Sequence, residues 1–437
     1  MVPPTVSFAT LGCKLNQYET EWLREQFRAA GYRVVPFTES ADVCVVNTCT
    51  VTGPSDRQSR QLLYRARRCS PYGVVVATGC YAQVDPERLA RMPIDLVVGT
   101  REKERLVELV EQRRRVGVML HVGEDGSARS FHSMNISGFA DRSRAFIKIQ
   151  DGCNGVCSYC IIPFARGPSH SRPLHEVMME VSRLAEVGFQ EVVLTGVHIG
   201  AYGGDLSPRS SLTEVVENLE NAQGLSRFRL GSVEPMDLSP GLIEELERSQ
   251  KVCHHLHIPL QSGDDEILSR MNRTYTALDY EQLIRGLHGR MPGIAIGADV
   301  IVGFPGETEA HFERTYQLIN ALPLAYLHVF LFSVRKGTTA ARMGPQVDHA
   351  TKKQRAARLR TLGEEKRKAF CSSFVGSVLY VLFEHRRDPK TGWLKGLSDN
   401  YIRVIADGPD ALMGHIVPVL AEGIVEGEVT VRGRIVD

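Results

Sequence analysis

No stretch of this sequence stays apolar for the roughly 18 residues that a membrane-crossing helix needs. The opening run MVPPTVSFATLG also lacks the basic segment and apolar core of a secretion signal. Together these absences argue against a membrane-spanning or secreted chain and for a cytoplasmic one. Net charge is nearly absent too, since 52 Lys and Arg against 51 Asp and Glu leave +1. A grip on a polyanion must then come from local basic surfaces, not from the whole chain. Nothing demands disulfides: with 437 residues, 43% hydrophobic and 24% charged, there is material for two or three domains with proper cores. Ten cysteines without a secretion signal therefore read more readily as metal ligands than as bridge partners.

Three of them stand together. Cys153, Cys157 and Cys160 lie in DGCNGVCSYCIIPFARG, a CxxxCxxC spacing. Three thiolates on one loop can bind three irons of a four-iron cluster, which leaves the fourth iron open for chemistry. A structural zinc wants four closed ligands, and no further Cys or His stands at such spacing nearby. The pattern, with Tyr159 just before the third cysteine, resembles the signature of the radical S-adenosylmethionine (SAM) superfamily. That resemblance implies that SAM chelates the open iron, and that an electron from the cluster cleaves it to a 5′-deoxyadenosyl radical.

Residues 1–137 alternate strand-like runs (VSFATL, DVCVVNT, GVVVAT, DLVVG) with helical patterns, which predicts an open parallel α/β sheet. Cys13, Cys49 and Cys80 each follow a strand and precede a helix. In such a sheet the carboxyl ends of the strands share one edge, so these distant residues can converge and hold a second cluster. The competing reading is three buried small hydrophobes. Cys44, Cys69, Cys253 and Cys371 have no ligand-like spacing and read as structural, with Cys44 facing a core.

Within a domain expected over 138–370, which also takes in a basic connecting helix, residues 140–345 repeat strand then helix six times, from RAFIKIQ through EVVLTGV, RFRLGSVE, HHLHIPL and AIGADVIVG to LHVFLFSV. That order predicts a partial (β/α)6 barrel with its active site at the carboxyl ends of the strands, where the polar and Gly-rich punctuation falls. By similarity to such runs in the superfamily, Tyr159, Thr195, Gly196, Glu234, Gln261 and Gly303 are the candidates for contacting SAM. Of His254, His255 and His257, only the last two share a strand face, and a structural role is expected for them over metal ligation. Residues 350–369 carry eight Lys or Arg against two Glu, a helix read either as a solvated brace or as an RNA grip. From 371 to 437, short strands between Gly turns predict a small β-barrel. Its stretch GLSDNYIRV resembles the TRAM domain of RNA-modifying enzymes, with Trp393, Tyr401 and Arg403 available to RNA and Arg57, Arg60, Arg65, Arg67 and Arg68 as a possible extension.

The three segments in this order resemble the methylthiotransferase family over nearly the whole chain. GCKLNQYETE, NTCTVTGPSDRQSR and GCYAQ resemble the branch that converts N6-threonylcarbamoyladenosine beside the anticodon of tRNA to its 2-methylthio form. The resemblance implies two [4Fe-4S] clusters, on Cys153/Cys157/Cys160 and on Cys13/Cys49/Cys80, as the catalytic cysteines. By the same resemblance, one SAM would supply the radical that removes the C2 hydrogen of adenine, and another would methylate the inserted sulfur. It also implies a tRNA substrate and an electron donor such as flavodoxin or ferredoxin; the oligomeric state stays open. Other readings are a methylthiotransferase acting on an isopentenyl-type adenosine or on a ribosomal-protein aspartate, a lipoyl-synthase-like sulfur inserter, and a zinc RNA-binding protein without turnover.

Overall fold

Val-rich runs build the first sheet. In the computed structural model, which describes residues 2–113, 117–123, 131, 134–136, 138–139 and 142–436, six parallel strands stand in the order Arg33–Val35, Thr5–Thr10, Val43–Thr48, Val74–Gly79, Leu96–Val98, Met119–His121. Val43–Thr48 is buried along its whole length, as expected of a parallel strand covered on both faces. The two edge strands have three residues each, too short to show a period in the sequence. Between the strands lie the expected helices. Lys14–Ala29 has Cys13 at its N-cap, Gly53–Cys69 is capped by the Thr52 hydroxyl with Pro54 in its first turn, and Cys80–Val84 begins at the cysteine itself.

This sheet, with residues 150–172 and 333–341, forms one of two units. The cysteine loop that follows the first barrel strand thus belongs to the first unit. The expected boundary at residue 137 lies outside the described residues.

The second unit holds the six-strand repeat. Arg144–Lys148, Glu191–Thr195 and Arg227–Arg229 pair in parallel, as do His255–His257, Ala295–Val302 and Tyr326–Leu331. Parallel bridges Phe228–Val252 and Ser232–His257 join the two halves into a partial barrel. The segment from Val378 to Ile435 closes into a five-stranded barrel around Val381, Phe383, Leu394, Val404, Val419 and Val431, all fully buried. One of its pairings, Arg403–Ala406 with Val431–Ile435, is parallel.

Two arginines join this small barrel to the larger one. Arg227 Nε donates to Glu191 at 2.7 Å and its Nη atoms to the carbonyls of Tyr380 and Leu397; Arg229 donates to Glu191 at 3.1 Å and to the carbonyls of Ser398 and Asp399. Burial opposes the charge on Glu191, but Arg229 and Arg227 hold its carboxyl down at about 2. Among the described residues no helix is long and apolar enough to cross a membrane.

Candidate active site

In the first unit the strand order reverses between Thr5–Thr10 and Val43–Thr48, so a crevice opens beyond their carboxyl ends. Cys13 and Cys49 sit on either side of it and Cys80 follows the next strand. Their approach is close: a Cβ on Gly12, which has φ +97°, would stand 2.9 Å from Cys49 Sγ. Ser59 fixes the turn at Cys49, accepting its N–H at 3.2 Å and donating to its carbonyl at 3.0 Å. Cys13 is exposed, whereas Cys49 and Cys80 are buried. Burial pushes the Cys80 thiol up to about 11, a rise that Arg166 opposes and Cys13 reinforces; Cys49 is raised mainly by burial as well. Such thiols keep their protons at neutral pH unless a metal takes the proton's place. The donor set, three thiols within electrostatic reach of one another and open on the Cys13 side, has the chemistry to hold an iron–sulfur cluster with one iron left free.

The second cysteine set rides on a loop that glycine makes possible. Gly152 has φ +69°, and a Cβ there would fall 1.8 Å from the carbonyl oxygen of Pro168. The loop is closed by Cys153 N–H to the Gly167 carbonyl at 3.0 Å and Cys160 N–H to the Cys157 carbonyl at 3.1 Å. Gly155 N–H donates to Cys153 Sγ at 3.1 Å, the kind of amide contact that stabilises electron-rich cluster sulfur. All three cysteines are partly exposed, so this set too fits a cluster with an accessible iron.

Side chains not singled out from the sequence tie the two sets together. Arg166, six residues after Cys160, donates to Glu19 at 2.8 Å, Asn16 at 2.7 Å and Asp151 at 2.9 Å. Lys103, fully buried, pairs with the other oxygen of Glu19. Residues 333–341 reach both loops, through Ser333 to the Gly53 N–H, Arg335 to Thr50 and Asp56, and Ala340 N–H to the Ser158 carbonyl at 2.7 Å. Asn16 and Glu19 stand three apart on the helix that begins after Cys13. That spacing, with polar residues on a face turned inward, was the available signal.

The SAM candidates divide between the units. Tyr159 lies with the cysteines in the first. Thr195, Gly196, Glu234, Gln261 and Gly303 lie in the second, at or beyond the carboxyl ends of successive strands. Gln261 is a non-glycine with φ +64°, and Glu234 is ion-paired with Arg273. The Gly303 N–H is bound by Glu307 at 2.9 Å. His255 and His257 share a face, both lying against the Tyr326 hydroxyl at 2.8 and 3.2 Å, and His257 also pairs with Asp299, which His328 contacts from the next strand.

The basic helix divides its charges between partners in its own unit and solvent. In His349–Ser372, Lys352 is buried over Phe332, Arg355 pairs with Glu307 at 2.6 Å, and Arg358 pairs with Glu309 and Glu313. Lys353, Arg360 and Lys368 are exposed, whereas Lys352, Arg355 and Arg358 are paired or covered within the unit, as in a brace. Tyr401 is likewise occupied, stacked on His255 at 4.2 Å. Arg60 and Arg67 are engaged by Tyr81 and Asp95, which leaves Arg57, Arg65 and Arg68 exposed on their helix.

A parallel sheet with two cysteines flanking its switch point and a third after the next strand, joined to a CxxxCxxC loop, fits one class: a radical SAM enzyme with a second thiol site. Comparison with known proteins narrows it. Residues 147–319 match the radical SAM superfamily and residues 5–99 the uncharacterized protein family UPF0004. The chain is 41% identical to the threonylcarbamoyladenosine tRNA methylthiotransferase MtaB of Bacillus subtilis, over 95% of this chain and 93% of that one. It is 38% identical to MtaB of Aquifex aeolicus, over 95% and 99%. A tRNA-2-methylthio-N(6)-dimethylallyladenosine synthase of Pelotomaculum thermopropionicum is 34% identical over 94% of each. Among solved structures, the radical SAM methyltransferase TsrM of Kitasatospora setae superposes with a TM-score of 0.57 at 17% identity, over 78% of this chain and 77% of that one, a likeness of fold alone. The chain belongs to the radical SAM methylthiotransferases, in the MtaB branch. As a radical SAM enzyme it uses a [4Fe-4S] cluster and SAM.

Proposed function

We propose that this protein converts N6-threonylcarbamoyladenosine beside the anticodon of tRNA to its 2-methylthio derivative, in the cytoplasm, with electrons from a flavodoxin- or ferredoxin-type donor. The observation that carries the reading is the pair of three-cysteine sets held in one unit and linked through Arg166. Cys153, Cys157 and Cys160 would hold the cluster that binds SAM, and Cys13, Cys49 and Cys80 a second one. When bound, the two clusters supply a carbon radical and a transferable sulfur, which acid–base side chains cannot provide at an unactivated C–H bond.

The chain's own work is placement. Gly152 lets the first loop fold back on Pro168, Ser59 fixes the turn at Cys49, and the exposed side of Cys13 leaves an opening for substrate. Tyr159 in the first unit, and Thr195, Gly196, Glu234, Gln261 and Gly303 in the second, are proposed as SAM contacts. The segment 371–437 is proposed as a TRAM-like RNA-binding domain, and Arg57, Arg65, Arg68 and Arg403 as phosphate contacts.

The test is mass spectrometry of tRNA nucleosides from cells lacking and regaining the gene. Appearance of the 2-methylthio threonylcarbamoyl nucleoside only with the gene is expected. Appearance of the dimethylallyl derivative instead moves the substrate to the other tRNA branch, and anaerobically purified protein holding zinc without sulfide ends the enzyme reading. The triple change of Cys13, Cys49 and Cys80 to Ala should still cleave SAM and yield no methylthio product.

A further inference from the structure

We propose that Arg166 is a positioning residue that locks the CxxxCxxC loop to the second cysteine site through Asn16 and Glu19, setting the geometry across which sulfur is delivered. The proposal rests on the two-cluster reading above. Arg166 ends the short helix Ile162–Arg166, and its side chain is only 1% exposed. On one side it holds Asp151, whose carboxylate also accepts the Gly152 N–H at 2.8 Å, immediately before Cys153. On the other it holds Asn16 and Glu19 on the helix that starts at Cys13.

Asn16 is itself a clamp. Its amide donates to the carbonyls of Leu11 at 2.7 Å and Thr48 at 3.1 Å, the chain just ahead of Cys13 and Cys49. One guanidinium thus ties the root of Cys153 to the roots of two auxiliary cysteines. The Lys103 ammonium, bound to Glu19 and 3.3 Å from Asn47, completes a cluster of two cations and two carboxylates.

Energy argues for position over stability. Buried ion pairs of this kind contribute little net stability against apolar residues of the same volume, since desolvation offsets most of the attraction. They do impose direction, because the N–H groups of the planar fork point in fixed directions, here toward Glu19, Asp151 and Asn16. Delivery of an atom between two sites needs that: an ångström of misplacement costs on the order of a hundredfold in rate. The guanidinium is also within electrostatic reach of Cys13 and Cys80, so it favours negative charge on that set.

The experiment uses full-length protein with both clusters reconstituted, as wild type, Arg166→Lys and Asn16→Ser. The first variant keeps the charge and loses the fork; the second removes the clamp without unpairing a charge. Two measurements are made: electron paramagnetic resonance of the reduced protein without SAM or RNA, and deoxyadenosine released per methylthio group inserted. With iron held at about eight per chain, we expect altered mutual relaxation of the two cluster signals in both variants and a rise of at least about tenfold in the deoxyadenosine ratio. Unchanged relaxation and an unchanged ratio at full iron content overturn the proposal. If Arg166→Lys fails to hold iron, Asn16→Ser decides alone. If the wild type makes no methylthio product, the functional reading fails, while the resonance measurement still tests the link between the two sets.

Discussion

Gly12 and Gly31 make a matched pair of residues. Both have positive φ, +97° and +85°, so alanine at either carries the left-handed cost of roughly 1–2 kcal/mol. Only at Gly12 would the new Cβ also stand 2.9 Å from Cys49 Sγ, whereas at Gly31 nothing lies within 4 Å. Gly12→Ala should therefore lose about four of the eight irons and all methylthiolation while still cleaving SAM. Gly31→Ala should keep full iron and melt slightly lower. Iron and sulfide assays beside a deoxyadenosine assay check this; full iron in Gly12→Ala would remove Cys49 from the ligand set. At this scale the CxxxCxxC loop and the three post-strand cysteines were legible in the sequence. Arg166 and Lys103 were not, because what makes them functional is which buried carboxylates surround them.

Among the elements, the strand that carries Glu191 and the helix His349–Ser372 respond differently to charge. The Glu191 carboxyl falls from an ordinary 4.5 to about 2 in the folded state. A depressed acid adds stability above the unfolded value, so its contribution is full above about pH 5 and disappears as pH drops through about 2. Glu191→Gln leaves two buried guanidiniums uncompensated and should destabilise by about 3–5 kcal/mol at neutral pH. The gap between its urea midpoint and the wild-type midpoint should close only below about pH 4. A gap that is constant down to pH 3 would assign the loss to packing instead.

On the helix, Arg355→Gln strands the buried Glu307, with an expected loss of about 3 kcal/mol and no change in the salt dependence of tRNA binding. Replacing exposed Arg57, Arg65 and Arg68 by Gln should instead leave stability alone and reduce the slope of log affinity against log salt by about 3. Fluorescence-anisotropy titrations separate the two. The helix was visible in the sequence as a basic run, but a count of lysines and arginines cannot tell which side of the helix meets Glu307, Glu309 and Glu313.

For the whole molecule, the small barrel is a structural part of the second unit, joined to the larger barrel, as well as a proposed RNA surface. Ending the chain after Ser372 removes the carbonyl acceptors of Arg227 and Arg229. The truncated protein should then melt roughly 5–10 °C lower, so weakened tRNA binding in that variant would not by itself locate the RNA site; an unchanged melting temperature would refute the structural role. The sequence by itself determined the order of elements, the α/β character of both units, the closed terminal barrel and the six cysteines, since these depend on local period, turn residues and short spacing, which act over a few residues. Only the tertiary structure decided that the CxxxCxxC loop and residues 333–341 join the first unit, that Arg403–Ala406 pairs in parallel with Val431–Ile435, and that the basic helix buries Lys352 and Arg355 while Lys353, Arg360 and Lys368 stay exposed. Those outcomes depend on contacts between residues far apart in the chain, where burial and partner geometry, not local pattern, set the free energy.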